Sequence, residues 1–200
     1  MRRLFFLLSL FLASSVVANG QSHPLLKRIL RHYAEMGNYE MTFELRVAGN
    51  KQRGVVMVEG DSYYMRLGDT EVYVSDSVRY EVRAQAKEVV VDKADIYEKD
   101  LLNPTNGFTS IAADYSVEEC ERDGAKALRL TPKREGETIY VVLAGDGASI
   151  SKVVYGAGEH STEMVVESCK KSNKPLHSVA LRVIVIHKNF HTSTNFCVLP

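Results

Sequence analysis

Apolar and polar residues alternate strictly in YEMTFELRV, residues 39–47, with Tyr39, Met41, Phe43, Leu45 and Val47 on one side and Glu40, Thr42, Glu44 and Arg46 on the other. That period of two predicts a strand with one dry and one wet face. The pattern recurs in VVMVE (55–59), SYYMRL (62–67), the pair TEVYVS and VRYEV (70–82), and KEVVVD (87–92). AGNKQRG, Gly60-Asp61 and Gly68-Asp69 supply turns between them. Tyr63, Met65 and Leu67 share a face, as do Val72 with Val74, and Val78 with Tyr80 and Val82. Further strands are expected around 113–120, 125–131, 137–144, 149–155, 161–169 and 178–187.

Two stretches break the period. PLLKRILRHYAEM (24–36) places Leu25, Leu26, Ile29, Leu30, Tyr33 and Met36 on one stripe, with Pro24 in the first turn and Gly37-Asn38 after the last, which predicts an amphipathic helix. DKADIYEKDLLNPTNGF (92–108) fits a short helix begun by Asp92 or Asp95 and stopped by Pro104 and Gly107. The sum is about ten or eleven strands and two helices, joined by tight turns and therefore antiparallel. A sheet of that length must curl or close, and two short helices are too few to cover it as a full layer. The predicted fold is mainly β with two helices (α+β): a curled antiparallel sheet or half-barrel whose apolar concave face, partly plugged by the helices, lines a cavity. The expected lining is Met41, Phe43, Leu45, Tyr63, Met65, Leu67, Val72, Val74 and Tyr80, with Ile96, Leu101 and Leu102 from the second helix plugging the cavity when it is empty.

The N-terminus changes the picture of where the chain works. Arg2 and Arg3 precede the apolar run Leu4–Leu12, and Val16-Val17-Ala18 ends in small residues, a secretory signal peptide. The uncharged run is short against the ~20 residues of a membrane span. Residues 1–18 are therefore read as signal peptide, cleaved after Ala18, and 19–200 as a single exported domain. No Cys lies near that junction to carry a lipid; the first is Cys120. Loss of Arg2 and Arg3 from a chain with 25 basic and 25 acidic residues leaves a slight acidic excess, which speaks against nucleic acid and against electrostatic membrane binding. The three cysteines, Cys120, Cys169 and Cys197, match no metal or redox spacing and allow either one disulfide with a free thiol or three small buried side chains.

No catalytic constellation emerges. His187 and His191 form H-x-x-x-H after ALRVIVI, a strand, where four residues span about 13 Å, too far for one metal. His160 follows a Gly-x-Gly without strand-to-helix context, no G-x-S-x-G occurs, and the carboxylates mostly occupy wet strand positions. No cofactor and no enzymatic activity are expected.

The order of motifs resembles the periplasmic outer-membrane lipoprotein carrier family, LolA. A signal peptide, an amphipathic helix, NYEMTFELRV, a hairpin meander, VYVSDSVRYEV, a short helix before LLNP, ALRLTPK and the hairpin IYVVLAGDGASISKVVY follow one another as in that family, over most of residues 25–170. YVSDSVRYEV resembles its V-S-D-G-x-x-x-W/Y strand pair, and LRLTPK (128–133) its L-x-P-K strand. The resemblance implies an unclosed antiparallel β half-barrel with a helical lid enclosing a hydrophobic cavity, and a monomeric periplasmic carrier. Its cavity takes the acyl chains of lipoproteins, received from an inner-membrane lipoprotein-releasing transporter and passed to an outer-membrane acceptor. An extracytoplasmic lipid- or protein-binding sensor on the same fold is the alternative. Glu59-Gly60-Asp61 stands where the family carries a basic residue and Pro that latch the lid, Ser77 replaces a Gly, and the C-terminal HKNFHTSTNFCVLP departs from the family pattern.

Overall fold

The computed structural model describes residues 23–75, 78–93, 114–158, 161–176 and 191–194. Helix α1 spans Pro24–Met36, with Pro24 in its first turn and the His23 ring accepting from the Leu25 N–H at 3.3 Å as N-cap. Gly37, at φ 66°, ends the helix with its N–H on the Tyr33 and Ala34 carbonyls. Leu25, Leu26, Ile29 and Tyr33 form its buried face, on the stripe that the sequence predicts.

Among the described residues twelve strands follow: β1 (Tyr39–Val47), β2 (Asn50–Glu59), β3 (Ser62–Leu67), β4 (Thr70–Ser75), β5 (Val78–Arg83), β6 (Glu88–Lys93), β7 (Tyr115–Arg122), β8 (Ala125–Pro132), β9 (Ile139–Leu143), β10 (Ile150–Tyr155), β11 (Thr162–Lys171) and β12 (His191–Thr194). They form one sheet in the order β12-β6-β5-β4-β3-β2-β1-β11-β10-β9-β8-β7, open between β12 and β7. β1 to β11 pair antiparallel throughout, as an unclosed half-barrel requires. β12 runs parallel to β6, a departure from the all-antiparallel expectation. β2 begins at Asn50 rather than 55, because Ala48 and Gly49 turn the chain alone, both at positive φ, and let Lys51, Gln52 and Arg53 pair as an exposed strand end. Asp92 sits within β6 opposite Arg79 rather than at a helix start. The rest of the expected second helix, and the strand expected over 178–187, fall outside the described residues.

Register places side chains on two faces. Directly paired residues share a face, so Tyr39, Val58, Tyr63 and Val74 form one row across β1 to β4, and Met41, Val56, Met65 and Val72 the next. On the other side of β1, Leu45, Met164, Val153, Val141 and Leu128 continue the same face to β8. Helix α1 packs on this inner face: its buried residues join Met41, Phe43, Val141, Ile150 and Met164 in a single core. Bulges at Thr42/Phe43 and at Ile150/Lys152 keep this phase where simple alternation would lose it.

One glycine is fixed by this packing. Gly54 lies opposite Phe43, whose ring occupies the place of a side chain there: a Cβ on Gly54 would stand 2.3 Å from Phe43 Cζ. Phe43 is only 2 % exposed and has little room to yield. Gly54→Ala is expected to destabilise the protein by about 1–3 kcal/mol through overpacking, read as a lower urea midpoint. A midpoint at or above that of the wild type would show that the ring moves freely.

Candidate functional site

The inner face holds eight of the expected lining residues, in two different states. Met41 and Phe43, 0 % and 2 % exposed, belong to the filled core beneath α1. Leu45, Tyr63, Met65 and Leu67 pack against the edge of that core and remain half-buried; Val72 is buried and Val74 half-buried beyond them. The half-buried apolar strip therefore lies over β3 and β4, at the edge of the core that the helix fills.

Tyr80 is not part of it. Ser75 pairs with Val78, so Tyr73 faces Tyr80, and Val74 and Val72 face Arg79 and Glu81. Tyr80 lies on the outer face with Tyr73, Val78, Val82, Val89 and Val91, a second small core in which Val82 and Val89 are almost wholly buried. The apolar phase of β5 points outward and its polar phase inward, the reverse of the expectation. The signal was present in the sequence: only Asp76 and Ser77 separate the two strands, and so short a connection sets this register. Ile96, Leu101 and Leu102 lie outside the described residues.

The inward phase of β5 is a charged ladder that strand alternation alone had placed on the wet face. Glu81 lies between Arg79 (2.5 Å) and Arg83 (2.8 Å); Arg79 also approaches Asp92 at 3.6 Å, and Arg83 meets Glu88 at 3.3 Å. Burial works against the charged Glu81, yet the hydrogen bonds from Arg79 and Arg83 prevail and hold its carboxyl below the usual range. The inner face thus passes from a helix-filled core, through a half-buried apolar strip, to an ion ladder.

A second polar cluster fastens α1. Arg28 donates to the Asp146 carbonyl at 2.7 Å, the His32 Nε2 lies 3.1 Å from the Ser149 hydroxyl, and the Ile150 N–H donates to the Tyr33 hydroxyl at 3.2 Å. All three ties reach the β9–β10 turn. A serine beside a histidine invites a nucleophile–base reading. Here, however, Ser149 donates to Asp146 Oδ2 at 2.5 Å, and Asp146 Oδ1 takes the Ala148 and Ser149 N–H groups. The carboxylate engages the hydroxyl and the backbone donors instead of orienting the imidazole. The cluster holds a turn. The hydrogen bonds from Ser149, then from the Ala148 and Ser149 backbone, lower the Asp146 carboxyl to about 2.

Glu59, where the resembled family has a basic residue, accepts the Leu176 N–H at 2.6 Å and ties the chain beyond β11 to the end of β2. Cys120 and Cys169 are free thiols; burial pushes Cys169 up to about 11, away from reactivity. Cys197 and His187 fall outside the described residues. Among the described residues no three His, Cys, Asp or Glu side chains are placed to hold a metal, and no helix is long and apolar enough to cross a membrane.

No protein-family model and no curated protein matches the chain. Among solved structures, an uncharacterized conserved protein from Thermus thermophilus superposes with a TM-score of 0.58 at 10% identity, over 86% of this chain and 97% of that one. The MucA/MucB complex of Pseudomonas aeruginosa gives 0.47 at 15% identity, covering 78% of this chain, which spans 58% of that one. LprF from Mycobacterium bovis gives 0.38 at 11% identity, over 75% and 93%. The Thermus protein shares the fold, and none of these comparisons assigns the chain to the LolA family.

The Asp146 turn carries a pH signature. A carboxyl lowered on folding stabilises above its unfolded value, 3.8, and that contribution is lost as pH falls towards 2. Asp146→Asn is therefore expected to melt lower than wild type at pH 6, with the gap closing between pH 4 and pH 2, on the order of the native and unfolded values. A gap independent of pH, in thermal melts across that range, would refute the role of the charge.

Proposed function

We propose that this protein is an extracytoplasmic carrier that seats lipoprotein acyl chains on the inner face of its half-barrel and passes them between an inner-membrane transporter and an outer-membrane acceptor. The observation that carries this reading is the half-buried apolar strip on β3 and β4, beside a core already filled by α1. Tyr63, Met65, Leu67 and Val74 are each only partly buried, so part of that strip remains exposed. Each acyl CH₂ removed from water there contributes roughly 0.8 kcal/mol, so a dozen of them hold a chain without any directional bond. Non-directional binding of this kind needs no catalyst and releases its cargo when a partner offers an equally apolar surface. The signal peptide and the ordered LolA-like motifs support the same cargo and the same route.

The reading separates two tyrosines that sequence alternation treats alike. A photo-crosslinking amino acid in place of Tyr63, on the inner strip, is expected to capture acylated lipoprotein in exported protein. The same substitution at Tyr80, on the outer face, is expected to capture none. Equal capture at both positions, or capture at Tyr80 alone, would overturn the assignment of cargo to the inner face.

A further inference from the structure

The inner face changes character between adjacent strands. Val74 and Val72, the last apolar residues of the strip, stand directly opposite Arg79 and Glu81. Directly opposed side chains have Cβ atoms about 5 Å apart, so a chain lying on Val74 has its end within reach of the Arg79 guanidinium. Arg79 is 28% exposed and Glu81 15%. Among the described residues Arg79 makes one hydrogen bond, to Glu81, and one longer ion pair, to Asp92 at 3.6 Å. A guanidinium presents five N–H donors in a planar fork. Arg79 therefore keeps donors for a further acceptor at the end of an apolar surface.

The neighbouring charges decide which acceptor. Glu81, Glu88 and Asp92 contribute three carboxylates against the two guanidiniums of Arg79 and Arg83. Among the described residues, Arg79 lies between two of these carboxylates, Glu81 and Asp92, so an incoming carboxylate at its guanidinium meets two of its own sign. A neutral carbonyl satisfies the donors without that repulsion.

We propose that Arg79 is the head-group subsite of the acyl seat: it donates to the ester or amide carbonyl that joins an acyl chain to its carrier, and so orients the chain with its head at β5 and its methyl end towards α1. This rests on the acyl-carrier reading and adds to it the class and direction of the ligand. The site selects neutral, carbonyl-linked chains over free fatty acids.

Two ligands that differ in one group test it. 1-Monopalmitoylglycerol carries the ester carbonyl; 1-O-hexadecylglycerol has the same head and chain length with an ether in its place. Binding of each, with palmitate as a third ligand, is measured by calorimetry on wild type, Arg79→Met and Arg79→Lys, all checked for folding by thermal melt. In wild type the ester is expected to bind more tightly than both the ether and palmitate. Arg79→Met is expected to weaken the ester about tenfold, the effect of losing one hydrogen bond to a charged group, and to leave the ether unchanged. Arg79→Lys, which keeps a charge beside Glu81 but loses the fork, serves if the Met variant fails to fold and is expected to weaken the ester alone. Equal loss for ester and ether, no loss for either, or palmitate binding as tightly as the ester would overturn the subsite while leaving the carrier reading intact. A wild type that binds none of the three ligands would overturn both.

Discussion

The ladder between β1 and β11 is the constraint on which the rest of the structure depends. β1 pairs on one side with its sequence neighbour β2 and on the other with β11, joining residues as distant as Thr42 and Ser168, whose hydroxyls meet at 2.8 Å across 126 positions. Two meanders, β2 to β6 and β7 to β11, become one sheet only through this pairing. Closing so long a loop costs entropy before any contact repays it, and what repays it lies at the seam. Tyr39, Met41 and Phe43 of β1 enter the same buried core as Leu26, Ile29 and Tyr33 of α1 and Met164 of β11. The helix is in turn tied to the β9–β10 turn by Arg28, His32 and Tyr33. Helix, seam and turn are thus joined through one core and three side-chain ties.

The sheet from β3 to β6 is built differently, and its difference makes the site. Over β3 and β4 the inner face is apolar yet only half covered; over β5 and β6 it is ionic apart from Val90, while the other apolar side chains turn to the outer face. A face apolar from edge to edge would hold any greasy surface in any direction, since burial of hydrocarbon has no preferred orientation. A face apolar in the middle and charged at one boundary gives a bound chain a direction. The Arg79–Glu81–Arg83 ladder also holds its own geometry: Glu81 accepts from both guanidiniums, while Arg79 keeps N–H donors to spare.

Much of this was legible along the chain. The helix over 24–36, the strands over 39–47 and 62–67 and the Gly60-Asp61 and Gly68-Asp69 turns stand where periodicity and turn residues place them. So does the common face of Phe43, Met65, Val72 and Val74, because each of these strands has one apolar phase and one core to bury it against. Tyr80 escaped the same argument. In β5 both phases are substantial, Val-Tyr-Val against Arg-Glu-Arg, and the choice of face belongs to the hairpin rather than to the strand. The bulges in β10 and β11, the parallel docking of β12 and the ties from α1 to the β9–β10 turn leave no periodic trace, because each depends on a partner remote in sequence.

The sequence by itself determined which residues of each strand share a side, since alternation is a local property of the extended backbone. It also determined the helix, through its apolar stripe and end residues. Only the tertiary structure decided which side each strand turns to the core, because a face is defined by register against a neighbour and a single change of register inverts it. That decision moved Tyr80 to the outside, brought Arg79 and Glu81 to the end of the apolar strip, and divided the expected lining into a core that α1 fills and a strip that it leaves half open.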